Sequence, residues 1–205
     1  MKRTLKRKMK RLVISALVLG GLAFLFVIMA TDWQPDEINW NTTTVSNQVL
    51  DYQPLIRKYA NKYGVAEHIN VLMAMMMQES GGRGDDPMQS SESLCGSRGC
   101  IDDPEKSVQQ GVHYFAEALD KADGDLKLAV QSYNFGQGFI DYVNAHSGTF
   151  TQEAAVDFSQ EMYADADNQS NYRCSRRGTA KIEACYGDIY YARDVMTYTE
   201  SVAKK

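Results

Sequence analysis

Nineteen consecutive residues near the start of the chain, from Leu12 to Ala30, contain no charged side chain. As a helix this run would be about 28 Å long at ~1.5 Å per residue, which matches the hydrocarbon core of a bilayer. Residues 2–11 carry seven lysines and arginines and no acid, and such a block stays on the cytoplasmic side. The pattern predicts a cytoplasmic tail over residues 1–11 and a single transmembrane anchor over residues 12–30.

The alternative for this segment is a cleaved secretory signal peptide. Signal peptides have apolar regions of roughly 7–15 residues and end in a small-x-small site. The candidate junction here, Ile28-Met29-Ala30, has an unsuitable residue two positions before the cut. The sequence therefore favours an uncleaved anchor, and both interpretations place the rest of the chain outside the cell. The expected localisation is the cell membrane, with one span and an extracellular domain.

The net charge of the remaining chain limits its partners. The sequence has 22 basic and 26 acidic residues, and the first thirty hold seven of the basic ones, so residues 31–205 carry 15 basic against 26 acidic residues. An acidic domain of this kind is not expected to bind nucleic acid. Attraction to an anionic cell wall is equally unable to supply binding, so contacts in a groove must do so.

All four cysteines lie in the exported part: Cys95, Cys100, Cys174 and Cys185. An even number in an oxidising compartment predicts two disulfides, although four cysteines allow three pairings. We favour the two local pairs, Cys95–Cys100 and Cys174–Cys185. A zinc site is the alternative, but no C-x-x-C pair occurs and no histidine stands at ligand spacing. No metal or other cofactor is expected.

Helical periodicity dominates the exported part, and strand signals are scarce. Apolar residues at three- and four-residue spacing predict helices from about Val49 to a stop at Gly64, over Ile69–Gln78, from Pro104 through Leu119, over Leu126–Asn134 and Phe139–Ala145, from Thr151 to about Ala164, and from Gly187 onward. Residues 31–48 are rich in threonine, serine and asparagine and predict a stalk. The expected architecture is one mainly α-helical domain over residues 49–203.

Two acidic residues with contrasting surroundings follow the methionine-rich helix. Glu79 stands at its end, where lost hydration would raise the pKa of the carboxyl and keep it protonated near neutral pH. A protonated carboxyl is what a general acid needs. After a glycine-rich turn, Asp86 lies on a loop that we expect to be more polar. Two carboxyls whose environments separate their pKa values are typical of glycosidases.

Four motifs occur in order along the chain: Glu79-Ser80, then Met88-Gln89, then Ser132-Tyr133-Asn134-Phe135-Gly136, then Tyr190-Tyr191 with Val195 and Tyr198. They resemble the Glu-Ser, Gly-Leu-Met-Gln, Ala-Tyr-Asn-Ala-Gly and closing tyrosine motifs of the goose-type lysozyme and lytic transglycosylase superfamily. Residues 78–91 are most similar to the muramidase domain of CwlT-type cell-wall hydrolases carried by conjugative elements of Gram-positive bacteria. The resemblance implies a lysozyme-like helical domain, of the goose-type or SLT-like kind, with a substrate cleft.

The resemblance also implies roles for individual residues. Glu79 matches the catalytic acid of the family, and the positions that match its groove residues are Gln89, Tyr133, Asn134 and Tyr190. Ser80, as a residue that orients Glu79, and Ser90 complete the expected substrate-binding set. The implied substrate is the glycan strand of peptidoglycan, cut at the β-1,4 bond between N-acetylmuramic acid and N-acetylglucosamine. The implied use is local opening of the wall, with conjugation or secretion machinery as a partner.

Asp86 is a departure from the family pattern, because Asp86-Pro87 stands where transglycosylases have Gly-Leu. A transglycosylase needs one carboxyl and produces a 1,6-anhydro sugar, whereas a hydrolase must activate water. Asp86 is a candidate base, with Asp85 as the neighbouring alternative, so hydrolysis is favoured over transglycosylation. A base that acts through water predicts carboxyl groups roughly 6.5–9.5 Å apart and inversion of the anomeric configuration.

Other classes of function have weaker support in the sequence. His68, His113 and His146 form no His-Glu-x-x-His pattern, and no Gly-x-Ser-x-Gly motif surrounds Ser80. The bifunctional relatives continue into a cysteine endopeptidase domain, and because this chain ends at Lys205 no peptidase activity is expected. A catalytically inactive wall-binding component is the alternative from a different class, and the intact Glu79 speaks against it.

Overall fold

The computed structural model describes residues 44–174 and 176–204. The predicted tail and anchor, residues 1–30, and most of the predicted stalk lie outside the described residues. Within the part that is described, no helix combines the length and the apolar character needed to cross a membrane. The described residues form α-helices and short 3-10 turns, with no β-strand among them, in agreement with the mainly helical prediction.

The helices are numbered in chain order. They are α1 (Asn47–Asp51), α2 (Gln53–Lys62), α3 (Ile69–Glu79), α4 (Ser91–Cys95), α5 (Pro104–Lys121), α6 (Leu126–Phe135), α7 (Gly138–His146), α8 (Gln152–Ala164) and α9 (Tyr191–Val202). In the part of the chain that the structure describes, three 3-10 turns lie in the connections: Ala66–His68, Gln169–Asn171 and Thr179–Ile182. Most predicted helices are confirmed to within a few residues.

Helix α3 is the centre of the core. Seven of its eleven residues are buried, and these lie on all sides of the helix. A helix that is apolar all round can be stable only inside a protein, and accordingly α9 packs along it while α2 covers another side. Its methionines are core side chains whose flexible thioethers fill irregular space. Glu79 is therefore positioned by the last turn of a helix that the core holds in place.

Helix α5 is amphipathic and packs against α2 and α6. It begins as predicted, because the Asp103 side chain accepts a hydrogen bond from the Glu105 N–H and proline occupies the first position. Gly111 is the residue of α5 that packs against Met88 and Tyr133. A Cβ atom there would be 2.8 Å from both Met88 Cβ and Tyr133 Oη. Only glycine allows this spacing.

The folded region begins before the predicted boundary at residue 49. Val45 is 2% exposed and Val49 is fully buried. Ser46 caps α1, and its hydroxyl donates to the Gly81 carbonyl oxygen at 2.8 Å. The last part of the predicted stalk is therefore packed against the end of α3. Single apolar residues in a polar stretch gave no periodic signal, which is why the prediction ended the stalk too late.

Two further details differ from the sequence prediction. The last helix begins at Tyr191, because Gly187 has a φ of 60° and the Tyr191 N–H donates to the Asp188 carbonyl in a turn. Helix α4 was not predicted, since five residues are too few to show a helical period. The preferred cysteine pairing is confirmed: Cys95 is bonded to Cys100, and Cys174 to Cys185.

Candidate active site

A cavity of about 530 Å³ lies where the end of α3 meets α4, the end of α6 and the turn before α9. Its lining residues are Glu79, Asp86, Gln89, Ser91, Glu92, Arg98, Gly99, Tyr133, Asn134, Tyr172, Tyr186 and Gly187. A second cavity of about 320 Å³ shares several of these side chains, Tyr133 and Asn134 among them. The two together form an extended polar and aromatic depression of the kind that binds a sugar chain.

Glu79 contributes a half-buried carboxyl to this cavity from the last residue of α3. Its Oε1 accepts a hydrogen bond of 2.6 Å from the Tyr191 hydroxyl. Tyr191 is buried at the start of α9 and its ring is stacked on that of Tyr133, with centroids 6.5 Å apart. Because both partners belong to helices that pack against each other, the carboxyl is held in one position.

Burial raises the pKa of Glu79 to about 7. The hydrogen bond from Tyr191 opposes this rise, because it stabilises the carboxylate, whereas the negative charges of Asp86, Asp188 and Glu92 add to it. The predicted elevation is therefore found in the structure. Near neutral pH a substantial fraction of Glu79 is protonated and able to donate a proton into the cavity.

Asp86 has the opposite environment. Its Oδ1 accepts hydrogen bonds from Ser107 Oγ at 2.6 Å and the Ser90 N–H at 2.9 Å. Its Oδ2 accepts from Ser91 Oγ at 2.6 Å and the Ser91 N–H at 3.0 Å. These four donors occupy most of the acceptor capacity of a carboxylate, about four lone-pair sites.

The net effect is a lowered pKa for Asp86. Burial alone would raise the pKa, but the hydrogen bonds from Ser107, Ser91 and the backbone outweigh it and favour the charged form. Asp86 lines the cavity, whereas its neighbour Asp85 is exposed and is not among the lining residues described. Of the two candidates, Asp86 is the one that the fold places beside Glu79, and it is an anion there.

Ser80 fixes the loop between the two carboxyls rather than contacting Glu79 or the cavity. Its hydroxyl donates to the Pro87 carbonyl oxygen at 2.7 Å and accepts from the N–H groups of Gly82 and Arg83 at 3.0 and 3.1 Å. The Ser80 hydroxyl thus joins the start of the loop to its end. The predicted orienting role is indirect: Ser80 sets where Asp86 stands relative to α3.

Gln89 and Ser90 follow this loop and have different positions. Gln89 is exposed, lines both cavities, and donates from Nε2 to the Asp86 carbonyl oxygen at 2.8 Å. Ser90 also lines the smaller cavity, but it is only 2% exposed, and its hydroxyl donates to the Ser107 carbonyl oxygen at 3.0 Å. Gln89 is therefore available to a ligand, whereas Ser90 mainly supports Asp86 through its N–H.

Tyr133 and Asn134, at the end of α6, both line the cavity as predicted. The Tyr133 hydroxyl donates to the Met88 carbonyl oxygen at 2.9 Å, which attaches the Asp86 loop to α6. Asn134 Oδ1 accepts from the Asp188 N–H at 2.7 Å. With its oxygen used in this way, Asn134 can present its amide N–H groups to a ligand in the cavity it lines.

The late tyrosine motif contributes Tyr191 rather than Tyr190. Tyr190 is not among the described residues that line either cavity, and the Arg193 guanidinium lies 4.1 Å from the centroid of its ring. Its assignment to substrate binding stays a prediction, whereas Tyr191 is the tyrosine of this motif that bonds to Glu79.

Several residues of the site were missed by sequence reasoning. Ser91 and Ser107 bind the Asp86 carboxylate, and Tyr172 and Tyr186 line the far side of the cavity. Ser107 is 21 residues from Asp86 in sequence, and no local pattern signals such a contact. The tyrosines carried one usable signal, since aromatic residues with a polar end are suited to sugar-binding surfaces.

The sequence model of the lysozyme-like family matches residues 46–199. The chain therefore belongs to the lysozyme-like family, and the resemblance inferred from the four motifs is confirmed. This is the class of protein that the helical fold and the cavity beside Glu79 also indicate.

Individual relatives make the comparison more specific. The chain is 43% identical over 165 residues to the bifunctional muramidase/DL-endopeptidase CwlT of Bacillus subtilis, covering 80% of this chain and 46% of CwlT. It is 40% identical to the uncharacterized membrane protein YocA of the same organism, over 78% of this chain and 72% of YocA.

A solved structure of a protein described as similar to a lipoprotein of the NLP/P60 family, from Staphylococcus aureus Mu50, matches with a TM-score of 0.64. It is 36% identical and covers 76% of this chain and 53% of that one. The chain thus spans about half the length of CwlT and of the staphylococcal protein. The matched part of the staphylococcal protein has the present fold.

Proposed function

We propose that the protein is a peptidoglycan muramidase that hydrolyses the β-1,4 bond between N-acetylmuramic acid and N-acetylglucosamine, with Glu79 as the general acid. One observation carries the proposal: Glu79 faces the cavity with a pKa of about 7, whereas the neighbouring Asp86 is held ionised. Family membership and the likeness to the muramidase CwlT support a cell-wall hydrolase.

In the proposed reaction Glu79 transfers its proton to the glycosidic oxygen as the bond to the anomeric carbon breaks. Positive charge then develops on the sugar ring, and a carboxylate close to it stabilises that charge. The Tyr191 hydroxyl donates to the Glu79 carboxylate that remains. Glu79 recovers a proton at the end of the cycle, when water has added to the sugar.

The geometry favours an electrostatic role for Asp86 over the predicted role as base. A base must accept a proton from water, and the four donors on Asp86 leave little acceptor capacity for that. Its lowered pKa also makes it a weak base. The base role, the predicted separation of the carboxyls and the inverting outcome stay predictions.

This arrangement keeps lytic transglycosylation as the second candidate activity. If no carboxylate activates water, the hydroxyl of the muramyl residue itself can attack and form a 1,6-anhydro ring. Mass spectrometry of digested peptidoglycan separates the two, because hydrolysis leaves a reducing N-acetylmuramic acid and transglycosylation leaves its anhydro form, 18 mass units lighter by the loss of one water.

The decisive experiment compares wild type with Glu79→Gln on purified peptidoglycan. We expect wild type to release fragments with reducing muramyl ends and Glu79→Gln to release none. Glu117→Gln is the matched control, since it replaces an exposed carboxylate on α5 that pairs with His113 outside the cavity. Full activity of Glu79→Gln would refute the assignment of the acid. Wall binding by wild type without any cleavage would favour the non-catalytic component.

We further propose that residues 12–30 anchor the protein in the membrane with the lysozyme-like domain outside the cell. The uncharged run and the basic block before it support this, and one relative is described as a membrane protein. Recovery in the membrane fraction with an intact amino terminus is the expected result, whereas a released form beginning after Ala30 would indicate a signal peptide. A role in conjugative transfer or secretion stays a prediction from the resemblance.

A further inference from the structure

Acidic side chains outnumber basic ones among the described residues that line the larger cavity. Three of its lining residues are acidic: Glu79, Asp86 and Glu92. Among the described residues that line it, Arg98 is the one that is cationic at neutral pH. In a domain with a large excess of acid, an arginine at the border of the proposed active site is a feature that proton transfer from Glu79 does not require.

Arg98 is held at this border by two constraints. It lies in the short loop closed by the Cys95–Cys100 disulfide, directly after α4. Its Nε donates to Glu92 Oε1 at 3.0 Å, which orients the guanidinium plane. The side chain is nevertheless 87% exposed. Within the described part of the chain, the Nη groups of Arg98 make no hydrogen bond, so they remain available to a ligand.

A guanidinium with free Nη groups is suited to bind a planar anion through two parallel hydrogen bonds, and a carboxylate has the matching shape. The two sugars of the proposed substrate carry acetamido and hydroxyl groups but no ring carboxylate. Carboxylates occur on the lactyl side chain of the muramyl residue, either as the lactyl group itself when it bears no peptide or within the attached stem peptide. A cation at the border of this cavity therefore has its matching anion on the muramyl side chain.

We propose that Arg98 forms a subsite for a carboxylate on the muramyl side chain, and that this contact distinguishes muramyl strands from uncharged glycans. The proposal rests on the proposed function for the identity of the substrate. Glu92 has a definite part in it: its carboxylate competes with the ligand for the guanidinium while it keeps the side chain oriented. The subsite thus belongs to the loop stapled by the Cys95–Cys100 disulfide.

Binding measured without cleavage tests the subsite separately from the chemistry. The full-length chain with Glu79→Gln is titrated with purified peptidoglycan fragments that keep their stem peptides. The same fragments are also used after carbodiimide-driven amidation, which converts carboxylates to uncharged amides. We expect amidation to weaken binding about threefold to tenfold, the range for a charge-assisted contact at an open surface.

Adding Arg98→Gln should lower the affinity for the untreated fragments by the same factor and abolish the effect of amidation. Arg98→Lys, which keeps the charge and loses the planar fork, should lie between the two. Glu92→Gln should tighten binding of the untreated fragments, because it removes the competing carboxylate. Arg57→Gln, an exposed arginine on α2, is the control and should leave both affinities unchanged.

A third ligand identifies the source of the carboxylate. Fragments from which an amidase has removed the peptides expose the lactyl carboxylate alone. Dependence on Arg98 that persists with them shows that the lactyl carboxylate also occupies the subsite, and dependence that disappears assigns the subsite to the stem peptide alone. The subsite is overturned if Arg98→Gln affects untreated and amidated fragments equally or affects neither. If binding depends on Arg98 but the wild-type chain, with Glu79 intact, cleaves no wall, the proposed muramidase activity is overturned and the subsite stays in place.

Discussion

Replacing Tyr191 by phenylalanine tests the proton-donating role of Glu79 with the smallest possible change. The substitution removes one oxygen atom and keeps the ring that stacks on Tyr133. The Tyr191 hydroxyl donates to the carboxylate of Glu79 and so lowers the pKa of that group. Without the donor, the charged form loses stabilisation and the pKa of Glu79 rises above its value of about 7. Activity that requires protonated Glu79 must then persist to higher pH.

The size of this pKa shift follows from the strength of the hydrogen bond that is lost. A hydrogen bond to a charged group contributes about 1.5–3 kcal/mol, and about 1.4 kcal/mol corresponds to one pKa unit. Complete loss would raise the pKa of Glu79 by about one to two units. Glu79 faces a cavity that admits water, which replaces part of the lost interaction. We therefore expect the upper pH limit of kcat/KM to move up by about one pH unit.

The assay is release of soluble fragments from purified peptidoglycan at substrate concentrations well below KM, followed from pH 5 to pH 10. Tyr198→Phe is the control, because it removes a hydroxyl from the same helix α9 without touching the bond to Glu79. Its pH profile should match wild type. An upper limit in Tyr191→Phe that stays in place or moves to lower pH would refute the assignment of that limit to Glu79.

Three further predictions follow from the same contacts. The folded protein holds the Glu79 proton more tightly than the unfolded chain does. Between pH 5 and pH 8, wild type should therefore lose about 2–3 kcal/mol of unfolding free energy relative to Glu79→Gln. Urea unfolding at the two pH values measures this change, and a pH-independent difference between the two proteins would contradict the raised pKa. Asp86→Asn removes a negative charge that raises the pKa of Glu79, so the upper pH limit of activity should move down. The loss of a charged acceptor should also lower the free energy of unfolding by about 2–4 kcal/mol. If the variant instead loses the low-pH limit of its activity profile, Asp86 acts as a base. Gly111→Ala places a methyl group 2.8 Å from Met88 Cβ and should destabilise the protein by about 1–3 kcal/mol. Gly138→Ala is the control, because the space at its Cβ is open, and it should be neutral within about 0.5 kcal/mol or slightly stabilising. Equal thermal unfolding midpoints for the two variants would show that the packing at Gly111 can relax.

Helical periodicity and local chemistry were sufficient to predict much of this domain. The apolar run before Glu79 predicted a buried helix, and a buried helix carries the carboxyl at its end into a poorly hydrated place, which raises its pKa. The cysteine pairs were assigned correctly because each closes a short loop. Where a property depends on residues close in sequence, the pattern contains the necessary information.

Properties that depend on contacts between distant segments were not predictable in this way. One of the donors to the Asp86 carboxylate is Ser107 on α5, and nothing near Asp86 in the sequence indicates that this helix passes beside it. The hydrogen bond to Glu79 comes from Tyr191 at the start of α9, which a turn delays, and a helical pattern does not specify its own first residue. The packed segment at Val45 was missed because its partners lie at the end of α3.

The three hydrogen bonds of the Ser80 hydroxyl have a consequence for the loop they enclose. The Ser80 hydroxyl bonds directly to the Pro87 carbonyl oxygen and so joins the two ends of the loop. The exposed tip around Gly84 is not part of this connection between Glu79 and Asp86. A Cβ at Gly84 would meet open space, although its φ of 78° suits glycine best. The tip is thus a suitable attachment point for a fluorescent reporter or a short graft that leaves the bridge from Ser80 to Pro87 intact.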